Sequence, residues 1–308
     1  MLDLVLWILL PLCVGFAVRI SNSKQLHFIN ESLTVIVYLI LLLIGMELAQ
    51  VDNLGRELGF ILGVSLLFLV VNVGCNILAV MLIDIKFPLR LKTQKTQADS
   101  AKHALLGSLK QIGCVVAGFI AAKLLAGWWL PPHISISIAL AMLLFLIGVQ
   151  LRSTGISVRR VFFNRRGVVL SLVLVLSSWV ASVILYFGLN LFLDKPVLLS
   201  QTLAISSGFG WYSLSGIIMT DAYGAVWGSV ALVNDLGREF VALMCIPMLM
   251  LRYPSTAVGV GGVTSLDFTL PTIQRAGGVG IVPLAISFGF IMNVLSPVLM
   301  AFFAHAKF

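Results

Sequence analysis

The sequence predicts an all-α polytopic membrane protein of about eight transmembrane helices and two oppositely oriented re-entrant or broken helical hairpins. Three observations predict it. The 308 residues are 60% hydrophobic and 10% charged, against about 25% charged in soluble domains. Eight apolar segments are long enough to cross a hydrocarbon core of about 30 Å. Two further apolar segments are interrupted midway by glycine, serine and threonine, as in helices whose freed backbone groups line a polar cavity.

In chain order, the first apolar segment is about 3–20, with no signal-peptide pattern ending in a small-residue cleavage site, so it is expected to be retained. Segments 29–51, 58–84, 104–127, 134–151 and 167–193 follow, each near-continuously apolar. The next stretch, Pro196–Gly224, is broken by Ser206-Ser207-Gly208-Phe209-Gly210-Trp211-Tyr212-Ser213-Leu214-Ser215-Gly216. Segment 225–251 spans again. Thr256–Gly278 is broken around Gly259, Gly261, Gly262, Thr264, Ser265, Asp267, Thr269 and Pro271, and 280–304 is the last span. Half-helices of about 12 residues rise only about 18 Å, too short to cross. The longest polar connection, Ile85 to His103, leaves no room for a soluble domain, so 1–308 is expected to form one membrane domain.

The net charge of +8 sits mostly in loops and reads as topology rather than as a nucleic-acid surface. Arg19 and Lys24 occupy the first loop; Lys86, Arg90, Lys92, Lys95 and Lys102 the third; Arg152, Arg159, Arg160, Arg165 and Arg166 the fifth. The alternate loops are poor in basic residues, so the odd loops are expected in the cytoplasm and both termini outside. This assignment favours a hairpin over a span for 196–224, because Arg252 then falls on the inner side. At an offset of 103 residues, Gly15-Phe16 matches Gly118-Phe119, and Leu43-Ile44-Gly45 matches Leu146-Ile147-Gly148. The offset spans three helices, an odd number, so 1–84 and 104–193 are expected to be inverted repeat units. They precede a core, 196–278, with one hairpin on each side of helix 225–251. Inverted repeats with discontinuous helices meeting at mid-membrane form a recurring secondary-transporter plan.

The candidate site lies in 225–251, at Asn234-Asp235-Leu236-Gly237-Arg238-Glu239. Each ionisable group at a bilayer centre costs roughly 2.5–3.5 kcal/mol on insertion scales, so such groups mark an ion or substrate path when they face protein or water. Asp235 and Glu239 share a helix face by their i,i+4 spacing, and Arg238 can neutralise one of them. A closed Asp235–Arg238 pair that fixes helix packing is the structural alternative; it leaves Glu239 over, as a cation or proton site. In the second break, Asp267 with Thr264, Ser265 and Thr269 suits sodium or a substrate ammonium, or else Ser265 or Asp267 caps the following half-helix. In the first break, Ser207, Gly208, Gly210, Ser213 and Ser215 surround a half-helix start suited to a carboxylate. Trp211 and Tyr212 there could pack on an alkyl chain or a cation, or be ordinary core aromatics. Glu47 lies within the second helix and Asp52 at its predicted outer end. Asn72, Asn76 and Asn293 read as interhelical glue. Four cysteines without a close pair and four histidines without ligand spacing argue against disulfides and metal. The Gly55–Gly59–Gly63 face could pack helices within one chain or between two, which leaves a homodimer open.

Taken together, the runs Ser207–Gly216, Asn234–Glu239 and Ser265-Leu266-Asp267-Phe268-Thr269-Leu270-Pro271, with Asp52-Asn53-Leu54 and Asn164-Arg165-Arg166-Gly167, resemble the bacterial lysine exporter family of the LysO type. The resemblance runs over essentially the whole chain. It implies no enzyme and no cofactor, but an inner-membrane exporter of L-lysine and close cationic analogues, driven by exchange with H+ or Na+. It also implies a role in export for the acidic positions matched here by Asp52 and Glu239; Glu47 does not fit that pattern. Two rival classes remain. An intramembrane aspartyl protease would use Asp235 and Asp267 but lacks its flanking pattern. A cation-coupled importer of an organic anion would use Arg238 and Arg275.

Overall fold

The computed structural model describes residues 10–11, 13–20, 22–49, 54–89, 99–125, 134–153, 164–193 and 196–306. Among these residues all regular structure is helical. Five long helices come first: α1 (Ser23–Leu48), α2 (Leu54–Lys86), α3 (Asp99–Leu124), α4 (Ile134–Ser153) and α5 (Arg165–Phe192). The short pair α6 (Leu199–Ser206) and α7 (Tyr212–Tyr223) precedes α8 (Ala225–Met250). A second short pair, α9 (Pro254–Gly261) and α10 (Leu270–Gly277), is joined by a 3-10 turn at Gly262–Leu266 and followed by α11 (Val282–Ala306). Asp52 and the side chain of Glu47 lie outside the described residues, as do most of the third and fifth loops.

The burial pattern identifies the solvent. Along α2, Leu58, Leu62, Leu66, Val70, Leu78, Leu82 and Ile85 are exposed, while Ser65, Asn72, Asn76 and Asp84 are buried. On α5, Leu172, Leu176, Val180, Ile184, Phe187 and Leu191 face outward, and Ser171, Ser177, Ser178 and Ser182 face inward. Leucine ridges outside and hydroxyls inside would be untenable in water and are favourable in lipid. Among the described residues, four helices, over His27–Met46, Glu57–Lys86, Arg165–Phe192 and Val282–Ala306, are long and apolar enough to cross a bilayer. The chain is a membrane protein.

Small residues let the scaffold helices touch backbone to backbone. A Cβ on Gly118 of α3 would lie 2.0 Å from the Leu42 carbonyl oxygen of α1, and a Cβ on Gly15 would lie 2.0 Å from the Phe145 oxygen of α4. Each member of one contact is 103 residues from a member of the other. Among the described residues, a Cβ on Gly59 or Gly63 would meet nothing within 4 Å, so neither makes a close helix contact there.

Each short pair doubles back. Ser200 Oγ near the start of α6 is 3.4 Å from Tyr223 Oη at the end of α7. At the other end of α8, a Cβ on Gly277, which closes α10, would lie 2.8 Å from Met250 Sδ, a few residues before α9 begins. The 26 residues of α8 therefore connect the open end of one pair to the open end of the other. The breaks meet between them: the Val263 N–H donates to the Phe209 carbonyl at 3.1 Å. Phe209 has φ 50° and Gly210 φ 92°, and Gly262 opposite has φ 59°. A Cβ on Gly262 would sit 2.0 Å from the Phe209 oxygen, so both its dihedral and the closeness of this joint demand glycine. The second pair is shorter than the expected 12 residues per half, because left-handed Gly262 ends α9 after 8 residues.

The start of α9 is held by an ion pair between buried Asp84 and partly exposed Arg166 that the sequence reading did not single out. Asp84 accepts from the Ser255 N–H at 3.2 Å and from the N–H and hydroxyl of Thr256 at 2.8 and 3.0 Å. Arg166 reaches the same carboxylate at 2.8 Å, and its Nε donates to Ser255 Oγ at 2.8 Å. A carboxylate from α2 thus caps the positive end of α9, neutralised by the first turn of α5.

Candidate functional site

The polar run of α8 divides its labour. Asp235, Arg238 and Glu239 are 1%, 4% and 2% exposed, yet they serve different neighbours. Asp235 Oδ1 accepts from the Gly210 N–H at 3.2 Å, just before α7, and from Asn234 Nδ2 at 3.0 Å. Arg238 donates to the carbonyls of Val260 at 3.3 Å and Gly259 at 3.2 Å, at the end of α9. The Asp235–Arg238 ion pair does not form: among the described residues, the ion pairs are His27–Glu31 and Arg166–Asp84. The reason is the polarity of broken helices. The carboxylate goes to exposed N–H groups before α7 and the guanidinium to free carbonyls ending α9.

The carbonyls ending α6 are served from α11, where Ser296 Oγ donates to Ser207 O at 2.9 Å and Gly208 O at 3.2 Å. Each break is therefore braced from a long helix, Arg238 of α8 on the second and Ser296 of α11 on the first. Gly208 allows the approach: a Cβ there would be 2.2 Å from Asp235 Oδ2.

Beside this joint lies a cavity of about 740 Å³, within the roughly 300–1,000 Å³ usual for small-molecule sites. Its walls include Thr34 and Tyr38 of α1, Gln150 of α4, Gly210 to Ser213 at the start of α7, and Glu239. Thr264 and Asp267 of the second break and Asn293 of α11 complete the polar lining. Its charged residues are Glu239 and Asp267; no lysine or arginine lines it among the described residues. Glu239 Oε2 is buried without a hydrogen-bond partner, and an unpaired buried carboxylate calls for a cation or a proton. Asp267 is exposed to the cavity, with Oδ1 accepting the Phe268 N–H. The start of α7 has no side-chain cap on Trp211, which leaves the positive end of that half-helix turned to the cavity.

Of the residues singled out in the sequence, the cavity brings together Gly210, Trp211, Tyr212, Ser213, Glu239, Thr264 and Asp267. Ser207, Gly208, Ser215, Asn234, Asp235, Arg238, Ser265 and Thr269 stay behind its wall. Ser265 Oγ donates to Val258 O at 2.7 Å, and Thr264 Oγ1 to Gly261 O at 2.8 Å, so these hydroxyls tie the second break to itself. Neither Ser265 nor Asp267 caps α10: its N-cap position is Thr269, without a side-chain cap bond. Thr34, Tyr38 and Gln150 are additions that only packing reveals; Asn293, read from the sequence as interhelical glue, does bond another element at Val263 O and also lines the cavity.

Residues 112–304 match the family described as Lysine exporter LysO. The chain is 43% identical over 299 residues to "Lysine exporter LysO" of Escherichia coli (strain K12), covering 96% of this chain and 97% of that protein. It is also 43% identical over 193 residues to a "Putative lysine exporter" of Haemophilus influenzae, covering 63% of this chain and 96% of that one. No solved structure matches. By a family match over more than half its length and a full-length relative, the chain belongs to the LysO lysine exporter family.

Proposed function

We propose that this protein exports L-lysine across the bacterial inner membrane by exchange with an inward-moving H+ or Na+, with Glu239 as the group that alternately holds the lysine ammonium and the coupling ion. One observation carries the reading: a cavity at the joint of two broken helices whose charged lining is two carboxylates, one of them buried with an unpartnered oxygen. Lysine carries net +1, and expelling it against an inside-negative potential costs about 2.3 kcal/mol per 100 mV. Exchange for one monovalent cation moves no net charge and removes that cost. The uncapped start of α7 is the natural place for the substrate carboxylate. An organic anion would find no cation in this cavity among the described residues, which weighs against the importer reading.

On this reading α6–α7 and α9–α10 are re-entrant hairpins inserted from opposite faces. The doubled-back ends support it, and so do the paired contacts Gly15–Phe145 and Gly118–Leu42. Such a relation is expected of inverted repeats. The cavity wall runs toward the end of α4 at Gln150 and the beginning of α11 at Ile286, both on the side of the basic loops. The opposite side is closed by Ile40, Leu41 and Ile44, with Ile44 packed on Gly216. The arrangement is the cytoplasm-open, substrate-loading state. Counterflow of labelled L-lysine in proteoliposomes under imposed proton or sodium gradients tests the proposal. Gradient-dependent lysine movement names the coupling ion; no lysine movement under either gradient refutes the assignment.

A further inference from the structure

Asn293 projects from α11 onto the cavity wall and is 8% exposed. Its amide nitrogen donates to Val263 O at 2.9 Å and to Gly289 O at 2.8 Å. Both partners are carbonyl oxygens, which only accept. Nitrogen must therefore stand at that position, and the usual ambiguity between the two ends of a carboxamide is resolved by chemistry. With both amide hydrogens engaged, the remaining polar atom is Oδ1, an acceptor with two lone pairs. It bonds no described residue and is not among the sealed, unpartnered atoms, and Asn293 is part of the cavity wall.

Resting on the lysine-export reading above, we infer that Asn293 is a substrate-binding residue whose Oδ1 accepts an N–H of one of the two ammonium groups of the dibasic amino acid. An ammonium presents three donors, and a carboxylate on one side leaves the others to be satisfied. A neutral amide oxygen meets that need without adding a third negative charge that would have to be neutralised in the empty site. The placement also links occupancy to the joint of the two broken helices. Val263, whose carbonyl is held by Asn293, is also the residue whose N–H bonds the Phe209 carbonyl. A substrate on Oδ1 therefore sits one carboxamide and one residue away from the contact between the two short helical pairs.

The test separates acceptor from brace. Inhibition constants are measured on the full-length protein in detergent, by competition against labelled L-lysine. The ligands are L-lysine, 6-aminohexanoate, which lacks the α-ammonium, and L-norleucine, which lacks the ε-ammonium. Ser296→Ala is the control, since Ser296 lies in the same helix and hydrogen-bonds the other break but does not line the cavity. Asn293→Ala is expected to weaken L-lysine on the order of tenfold. It should weaken one analogue comparably and leave the other, which lacks the contacted ammonium, within about twofold of the unsubstituted protein. Should Asn293→Ala fail to fold, Asn293→Ser, which retains a donor for the break, carries the same comparison. An equal penalty on all three ligands, or one no larger than that of Ser296→Ala, overturns the inference and leaves Asn293 a brace. Failure of the unsubstituted protein to bind L-lysine strikes instead at the substrate assignment on which the inference stands.

Discussion

Glu239→Gln is the substitution whose consequence follows most directly from the geometry. Glutamine has the shape of glutamate and removes only the charge. Glu239 forms no ion pair among the described residues, and its Oε2 has no hydrogen-bond partner. Among the described residues the empty protein therefore loses no hydrogen bond of Oε2 and no ion pair, and it is relieved of a buried charge. Its thermal unfolding midpoint in detergent is expected to be unchanged or raised. Lysine binding should behave in the opposite way. A hydrogen bond to a charged partner is worth roughly 1.5–3 kcal/mol, so its loss weakens affinity roughly 10- to 150-fold. Calorimetric titration of purified protein with L-lysine, beside a melting curve of the empty protein, reads both quantities. Affinity within about twofold of the unsubstituted protein refutes the assignment of Glu239 to the ammonium. A large fall in melting temperature would instead show that Glu239 supports packing.

Other expectations follow from the same contacts. Gly262→Ala places a Cβ 2.0 Å from the Phe209 carbonyl at a φ of 59°, and should cost about 1–3 kcal/mol or more, read as a lowered melting temperature. Gly59→Ala, with nothing within 4 Å, should leave stability unchanged. Arg166→Gln leaves buried Asp84 without its cation and is expected to destabilise by roughly 3–5 kcal/mol; an unchanged denaturation midpoint would show that the α9 anchor is dispensable. In a cysteine-free background, Thr34→Cys should react with an impermeant thiol reagent applied from the cytoplasmic side, whereas Ile44→Cys, at a position 2% exposed, should be protected. The reverse pattern would invert the proposed orientation of the cavity.

The long helices were legible from the sequence because lipid imposes a simple demand, about 20 apolar residues per crossing. The spans expected at 58–84, 167–193 and 225–251 lie within four residues of α2, α5 and α8 at each end. The two interruptions were legible for a related reason. Glycines and hydroxyls are costly in a membrane helix unless the backbone leaves the helical path there, and Gly210 and Gly262 do so with positive φ. Sequence also placed Asp235, Arg238 and Glu239 on neighbouring faces of one helix.

Tertiary structure decided which of those groups is available to a ligand. Spacing alone favours the i,i+3 partners Asp235 and Arg238 finding each other, but the opposite polarity of the broken ends draws them apart, one to Gly210 and the other to Gly259 and Val260. That division leaves Glu239 facing the cavity. Likewise, no local pattern could bring Asp84 to the start of α9, 171 residues away along the chain, or bring the amide nitrogen of Asn293 to the Val263 carbonyl of the second break. Such contacts depend on where distant helices end relative to one another. Hydrophobic pattern marks where the long apolar helices run; only packing assigns each buried charge to a free helix end or leaves it on the cavity wall.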